Sequence, residues 1–261
     1  MKPSVLLLLA LFFINSVVIP HAGTVVVYPA PVGEELSRAY QVTVEGHAVP
    51  VYTAKVAPAD PVLRWKAMDD KANSANYFET AAFASFDMQG TVTVQVTCPE
   101  DITSAKILPS ALNLQPLIKG KSLSLTLTNP GPVTVEINGN WVQALHLFAN
   151  PPETNAPTAT APGVIYFGPG IHEITHLVVT NNQTLYVAGG AILRGVIGTN
   201  EPFSISSYSG LRNYSPTIEL RGTNIMLRGR GIIDGTACPT HARHLVFVQG
   251  TNICLEGVIL R

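Results

Sequence analysis

Apolar and polar residues alternate along most of the chain, and no segment sustains the 3.6-residue apolar spacing of a helix. A period of two belongs to a strand with one buried face. Thr24–Val27, Ala39–Val44, Val49–Val56, Phe83–Met88, Thr91–Thr97, Ser104–Leu108, Lys121–Thr128 and Pro132–Asn138 follow it, separated by turn residues. Asn138-Gly139 is a hairpin turn signal leading into Trp141–Phe148. The pattern predicts an antiparallel β-sandwich of seven to nine strands over residues 24–150. Residues 151–162 (PPETNAPTATAP) are poor in large apolar side chains and rich in Pro and Thr, which predicts an extended, stiff linker.

From residue 163 the pattern repeats itself. Ile218–Gly229 (IELRGTNIMLRG) returns as Val246–Gly257 (VFVQGTNICLEG), with Gly222/Gly250, Thr223/Thr251, Asn224/Asn252, Ile225/Ile253, Leu227/Leu255 and Gly229/Gly257 matched. A weaker copy, Thr184–Gly189 (TLYVAG), aligns with Asn224–Gly229 and sets Leu185 opposite Ile225 and Val187 opposite Leu227. Strand, turn and strand recurring in this way predict a parallel β-solenoid, in which Asn224 stacks over Asn252. Two unrelated sandwich hairpins that share GTN are the plainer alternative. Thr199–Pro216 interrupts the repeat and predicts a loop thrown off the stack, of the kind that walls a substrate groove. The fold class expected is all-β: a sandwich, then the first coils of a parallel β-helix over 163–261. The chain stops at Arg261 inside a strand with no capping pattern, so a truncated front portion of a longer protein is expected.

Composition adds three points. Met1–Ala22 has Lys2, the apolar run Val5–Ile14 and a small residue near its end, the plan of a secretory signal peptide; the run is too short to span a bilayer. This predicts an exported or surface-retained protein without a membrane span after cleavage; an uncleaved anchor is the alternative if Val17–Ile19 extends the run. The three cysteines, Cys98, Cys238 and Cys254, leave one unpaired; Cys238 and Cys254 could bridge, or Cys254 could be a packed thiol. The formal charge is −1, which gives no case for a nucleic-acid partner. From Gly163 onward stand seven Arg, no Lys and five acids, against an excess of acids before it; the expected meaning is a solvated surface.

The block GRGIIDG (Gly229–Gly235), set behind SPTIELRGTNIMLRG, resembles the lead-in coils of glycoside hydrolase family 28, the polygalacturonase-type enzymes. YFGPG (Tyr166–Gly170) and QTLYVAGGAILRG (Gln183–Gly195) look like the opening of that family's right-handed parallel β-helix. A sandwich followed by a β-helix is also similar to the dextranase-type arrangement of family 49. The resemblance covers about 163–261. It implies inverting hydrolysis of a polysaccharide, pectin-type or related; a monomer is expected. It carries over no catalytic residue, because the family's NTD, GHG and RIK-type motifs are absent and no DD follows Asp70; Asp69-Asp70 itself reads as a solvated turn.

The residues themselves agree. An inverting glycosidase needs an acid and a base carboxylate about 6.5–9.5 Å apart. Asp234 is the sole aspartate after Gly163, and its place in IIDG suggests a turn-capping carboxylate. Glu219 and Glu256 are expected to face solvent, at non-equivalent positions. Arg221, Arg228 and Arg230 suit either a solvated strand face or the binding of carboxylate sugars through their planar forks. His241 and His244 lack carboxylate neighbours for a metal, and no cofactor motif, nucleophile elbow or phosphate loop is present. Asn182-Gln-Thr184 and Asn213-Tyr-Ser215 are glycosylation sequons, the second followed by Pro216. A non-catalytic β-helix surface or glycan-binding protein is the rival to the hydrolase. A calcium-dependent lyase would need several acidic ligands around one ion, which Asp234 alone does not supply.

Overall fold

The structure, a computed structural model, describes residues 23–63, 78–207, 210–239 and 242–261. The expected signal peptide, Asp69-Asp70 and His241 lie outside the described residues. No helix among the described residues is long and apolar enough to cross a membrane.

Residues 24–150 form β1 (Thr24–Val27), β2 (Gln41–Val44), β3 (His47–Val49), β4 (Val51–Val56), β5 (Glu79–Gln89) and β6 (Val92–Thr97). They continue as β7 (Ala105–Leu108), β8 (Leu117–Lys119), β9 (Ser122–Leu127), β10 (Gly131–Ile137) and β11 (Asn140–Asn150). This is more strands than the alternation suggests, because β3 and β8 have three residues each, too few to display a period. One sheet runs β3-β2-β6-β9-β8; the other runs β1-β5-β11-β10-β7, with β4 also on β5. Their inner faces meet in one core, Val42, Val94, Val96, Leu123 and Leu125 against Phe86, Met88, Val135, Leu145 and Leu147. Burial of this apolar area is the main favourable term for the unit. One pairing departs from the antiparallel expectation: β11 runs parallel to β5. At Asn138 and Gly139 both φ angles are positive, as the hairpin turn requires.

The second unit has β12 (Val164–Phe167), β13 (Gly170–Ile174), β14 (Leu177–Val179), β15 (Thr184–Val187) and β16 (Ala191–Gly195). After an excursion carrying the hairpin β17 (Phe203–Ile205) and β18 (Arg212–Tyr214) come β19 (Ile218–Gly229), β20 (Ile232–Asp234), β21 (Val246–Glu256) and β22 (Ile259–Leu260). Successive coils pair in parallel along three faces. β14 and the first legs of β19 and β21 make one face. β12, β15 and the second legs of β19 and β21 make another. β13, β16, β20 and β22 make the third. Val179, Leu185, Leu193, Ile218, Leu220, Leu227 and Ile233 point inward and fill the coils.

The register differs from the sequence alignment by two residues. Leu185 pairs with Leu227 and Val187 with Gly229. A two-residue slip preserves the inward and outward alternation, so apolar pattern alone cannot detect it. Close approach settles the matter: a Cβ on Gly229 would stand 2.0 Å from Val187 O, and the amides of Arg230 and Gly231 both donate to that oxygen. The foreseen asparagine stack is present and one rung longer. Asn252 Nδ2 donates to Asn224 Oδ1 at 2.7 Å, and Asn224 Nδ2 donates to Asn182 Oδ1 at 3.0 Å. All three asparagines hold the left-handed conformation, which Asn tolerates better than other side-chain-bearing residues.

The two units meet on the third face. Its outward residues Ile171, Ile192, Ile232 and Ile259 pack against Tyr52, Phe83 and Phe148. Beside them Tyr28 lies over the Gly189-Gly190 turn, where a Cβ on Gly189 would fall 2.0 Å from the Tyr28 ring. Gly189→Ala is therefore expected to destabilise the protein by about 1–3 kcal/mol through overpacking. Denaturant unfolding would check it, and Tyr28→Ala in the same chain should recover part of the loss.

Candidate functional site

The coil arginines, first considered as solvated or sugar-binding, mostly turn towards the first unit. Arg230 Nε donates to Asp87 at 2.6 Å and its Nη2 to Pro151 O at 2.8 Å. Tyr28 Oη and the Glu153 amide complete the Asp87 carboxylate. Arg228 donates to Thr154 O, sits 3.8 Å from Glu153 and 3.4 Å from Glu256, and Tyr186 Oη donates to Glu153 at 2.7 Å. Residues 151–154 are thus pinned across the second face. The charge asymmetry between the units is an interface, not a solvated surface: Arg194, Arg228, Arg230 and Arg261 all reach acids of the first unit or the segment after it.

Asp234 proves to be more than a turn cap. Its Oδ1 does accept the Thr236 amide, but the side chain is fully buried. Arg194 Nε and Arg261 Nη2 donate to Oδ2 at 2.9 and 2.7 Å, and the same two arginines hold Glu34 at 2.5 and 2.7 Å. Burial pushes the Asp234 pKa up, but the hydrogen bonds of Arg261, Thr236 and Arg194 and the charge of Arg261 outweigh it and hold the pKa at about 2. A carboxylate so held cannot store a proton near neutral pH, so Asp234 is no general acid.

With the third face covered and the second crossed by residues 151–154, the first face is the one left open. Its outward row is Val178, Glu219 and Phe247, in register on β14, β19 and β21. Glu219 does not face solvent as expected. It is 7% exposed, accepts from His176 Nε2 at 3.1 Å and is bound on its other oxygen by Arg221. Val178 and Phe247 flank it with about two-fifths of their surface exposed, at 40% and 41%. Arg221 is open along its side, so of the arginines first considered it alone projects from an uncovered face. Glu256 is exposed and on the second face.

One corner of this face carries the loops. Residues 196–217 and 235–245 both bridge from the third face to the first, and they are tied together. Tyr214 N donates to Ala242 O and Thr217 N to His244 O. Arg243 binds Glu201 and the carbonyls of Thr175 and Val196, and its guanidinium lies 5.7 Å from the Tyr214 ring centre. The described residues of the excursion foreseen from the sequence are therefore tied to the next coil's loop as a rim. His244 is exposed, and among the described residues no group of three His, Cys, Asp or Glu is placed to hold a metal. Cys98, Cys238 and Cys254 are free thiols. Cys254 is exposed on the outside of β21, so the packed role considered for it does not hold; the Cys238 thiol donates to Gly195 O at 3.2 Å.

No sequence family matches the chain, and no curated protein does. Among solved structures the chain is similar to Dex49A from Penicillium minioluteum, with a TM-score of 0.52 and 17% identity, over 89% of this chain and 56% of that one. It thus spans little more than half the length of Dex49A. A family 28 exopolygalacturonase of Yersinia enterocolitica aligns at a TM-score of 0.22 and 16% identity, over 83% of this chain and 39% of that one, too slight a superposition to support an argument. At this identity the likeness to Dex49A is one of fold alone.

Two outcomes follow for the charged residues. The stability that ionised Asp234 contributes is complete above the unfolded carboxylate value of about 3.9 and is lost as pH falls through about 2. Thermal melts across that window should show a falling midpoint, and Asp234→Asn should flatten the fall. Arg230→Ala strands Asp87 in the seam and should cost about 3–5 kcal/mol in denaturant unfolding.

Proposed function

We propose that this chain is the front portion of an exported polysaccharide-degrading glycoside hydrolase whose glycan lies along the first face, beside Glu219 and Phe247. The observation that carries the reading is the open face itself. The third face is covered and residues 151–154 cross the second, while the first offers an exposed aromatic, an arginine fork and a rim of tied loops. Such a surface suits a sugar chain, since a pyranose presents apolar C–H groups to an aromatic and hydroxyls to Arg, His and carboxylate groups. The fold shared with Dex49A and the resemblance of GRGIIDG and its lead-in to family 28 support the same reading.

In this reading the reaction is single displacement by water with inversion, and the acid and base carboxylates sit on coils that follow Arg261. Asp234 is held ionised among arginines, and Glu219 is bound by His176 and Arg221, so neither is a free acid–base partner. The protein acts as a monomer, and residues 1–22 direct its export. Those same occupied carboxylates favour a second reading, a β-helix module that binds glycan without cleaving it.

The test has two arms. Protein from the complete reading frame is incubated with dextran and with polygalacturonate, and reducing ends and their anomeric form are followed. Release with inversion is expected; glycan binding without release would establish the binding module instead. In the second arm the 261-residue chain is titrated with oligosaccharides. Phe247→Ala should weaken binding by about twofold to tenfold, corresponding to roughly 0.5–1.5 kcal/mol. Neither binding nor release on any glycan would end the polysaccharide reading.

A further inference from the structure

The asparagine ladder has a direction. Each rung donates its Nδ2 to the Oδ1 of the rung on the preceding coil, from Asn252 to Asn224 and from Asn224 to Asn182. Asn224 therefore uses both ends of its amide within the ladder. Asn182, the first rung, uses only its oxygen: Oδ1 accepts from Asn224, and its Nδ2 has no partner among the described residues. Asn182 is exposed, at a turn with φ +59°, and its backbone amide is secured to Thr223 O at 3.0 Å. It is also the first residue of Asn182-Gln183-Thr184, a sequon with no proline within or just after it.

We propose that Asn182 is an N-glycosylation site whose modification leaves the coil stack intact. The bond formed joins Asn182 Nδ2 to C1 of an oligosaccharide. The bond broken joins that C1 to the polyprenyl diphosphate of a lipid-linked donor, which departs as the leaving group, and one amide proton is given up to the transferase. The product amide keeps its carbonyl oxygen, so the ladder bond from Asn224 survives. The glycan stands at the corner between the first and second faces, next to Thr180 and Asn181. It would rim the open face on the side opposite the loops. Asn213 differs: it lies within β18, and Pro216 directly after its sequon holds Ser215 extended.

The proposal rests on the export reading, and the experiment separates the two. The full chain is expressed in a eukaryotic secretory host; medium and lysate are treated with an amidase that releases Asn-linked glycans, and peptides are mapped by mass. The expected result is a band shift on treatment, with Asn182 converted to Asp. Thr184→Ala should abolish the shift while keeping the ladder asparagine, and Asn213→Gln should leave it. An exported chain unmodified at Asn182, or modified only at Asn213, overturns the site. A chain confined to the lysate without glycan overturns the export reading. Residues 23–261 behind a heterologous secretory leader then decide Asn182 separately, and lack of modification there overturns it.

Discussion

The architecture depends on the seam where the isoleucine row of the third coil face meets Tyr52, Phe83 and Phe148. A coil stack left with that row in water would expose a continuous apolar strip, and the first unit removes it. The charges around the strip are matched one for one. Arg230 faces Asp87, while Arg194 and Arg261 face Glu34 and Asp234. The three carboxylates and Arg261 are almost wholly shielded from water, so a charge there is tolerable only with its partner in place. That condition fixes how the units sit against each other far more tightly than apolar contact, which has no preferred direction.

Orientation at the seam has a consequence on the far side of the coils. With the third face buried and residues 151–154 tied over part of the second by Arg228, Arg230 and Tyr186, the first face is, among the described residues, the one with no segment laid across it. Glu219 is then placed between two partly exposed apolar side chains and braced by His176 and Arg221. This arrangement reads as a positioned contact surface. Among the described residues it offers one carboxylate, that of Glu219, already held by His176 and Arg221.

Much of this was legible in the residues. The alternating runs mark the strands, the GTN repeat marks the coils, and the Ser- and Tyr-rich interruption marks the excursion at the rim. What stayed hidden has common causes. The two-residue register shift was invisible because it leaves every side chain on the face it already had. Glu219 and Asp234 looked like surface or turn acids because outward positions on a strand are polar by default. Nothing local announces that a second unit or a neighbouring strand will cover them. The arginine excess after Gly163 was the one available signal for the seam, and its complement, the acids of the preceding region, lies up to 227 residues away at Glu34 and Arg261. Pairing over such distances is a property of the fold, not of any window of sequence.

The corners of the coil differ in what they permit. Between the first and second faces the chain turns through Gly222-Thr223-Asn224 and Gly250-Thr251-Asn252, a length held constant by rungs that must meet. Between the third and first faces it passes through 175–176 in one coil, 196–217 in the next and 235–245 in the one after, while the strands on either side keep their pairing. Length is thus free at one corner and fixed at the other. A lineage built on this plan can lengthen, shorten or replace the wall beside its open face, coil by coil, while the core that supports it stays in step.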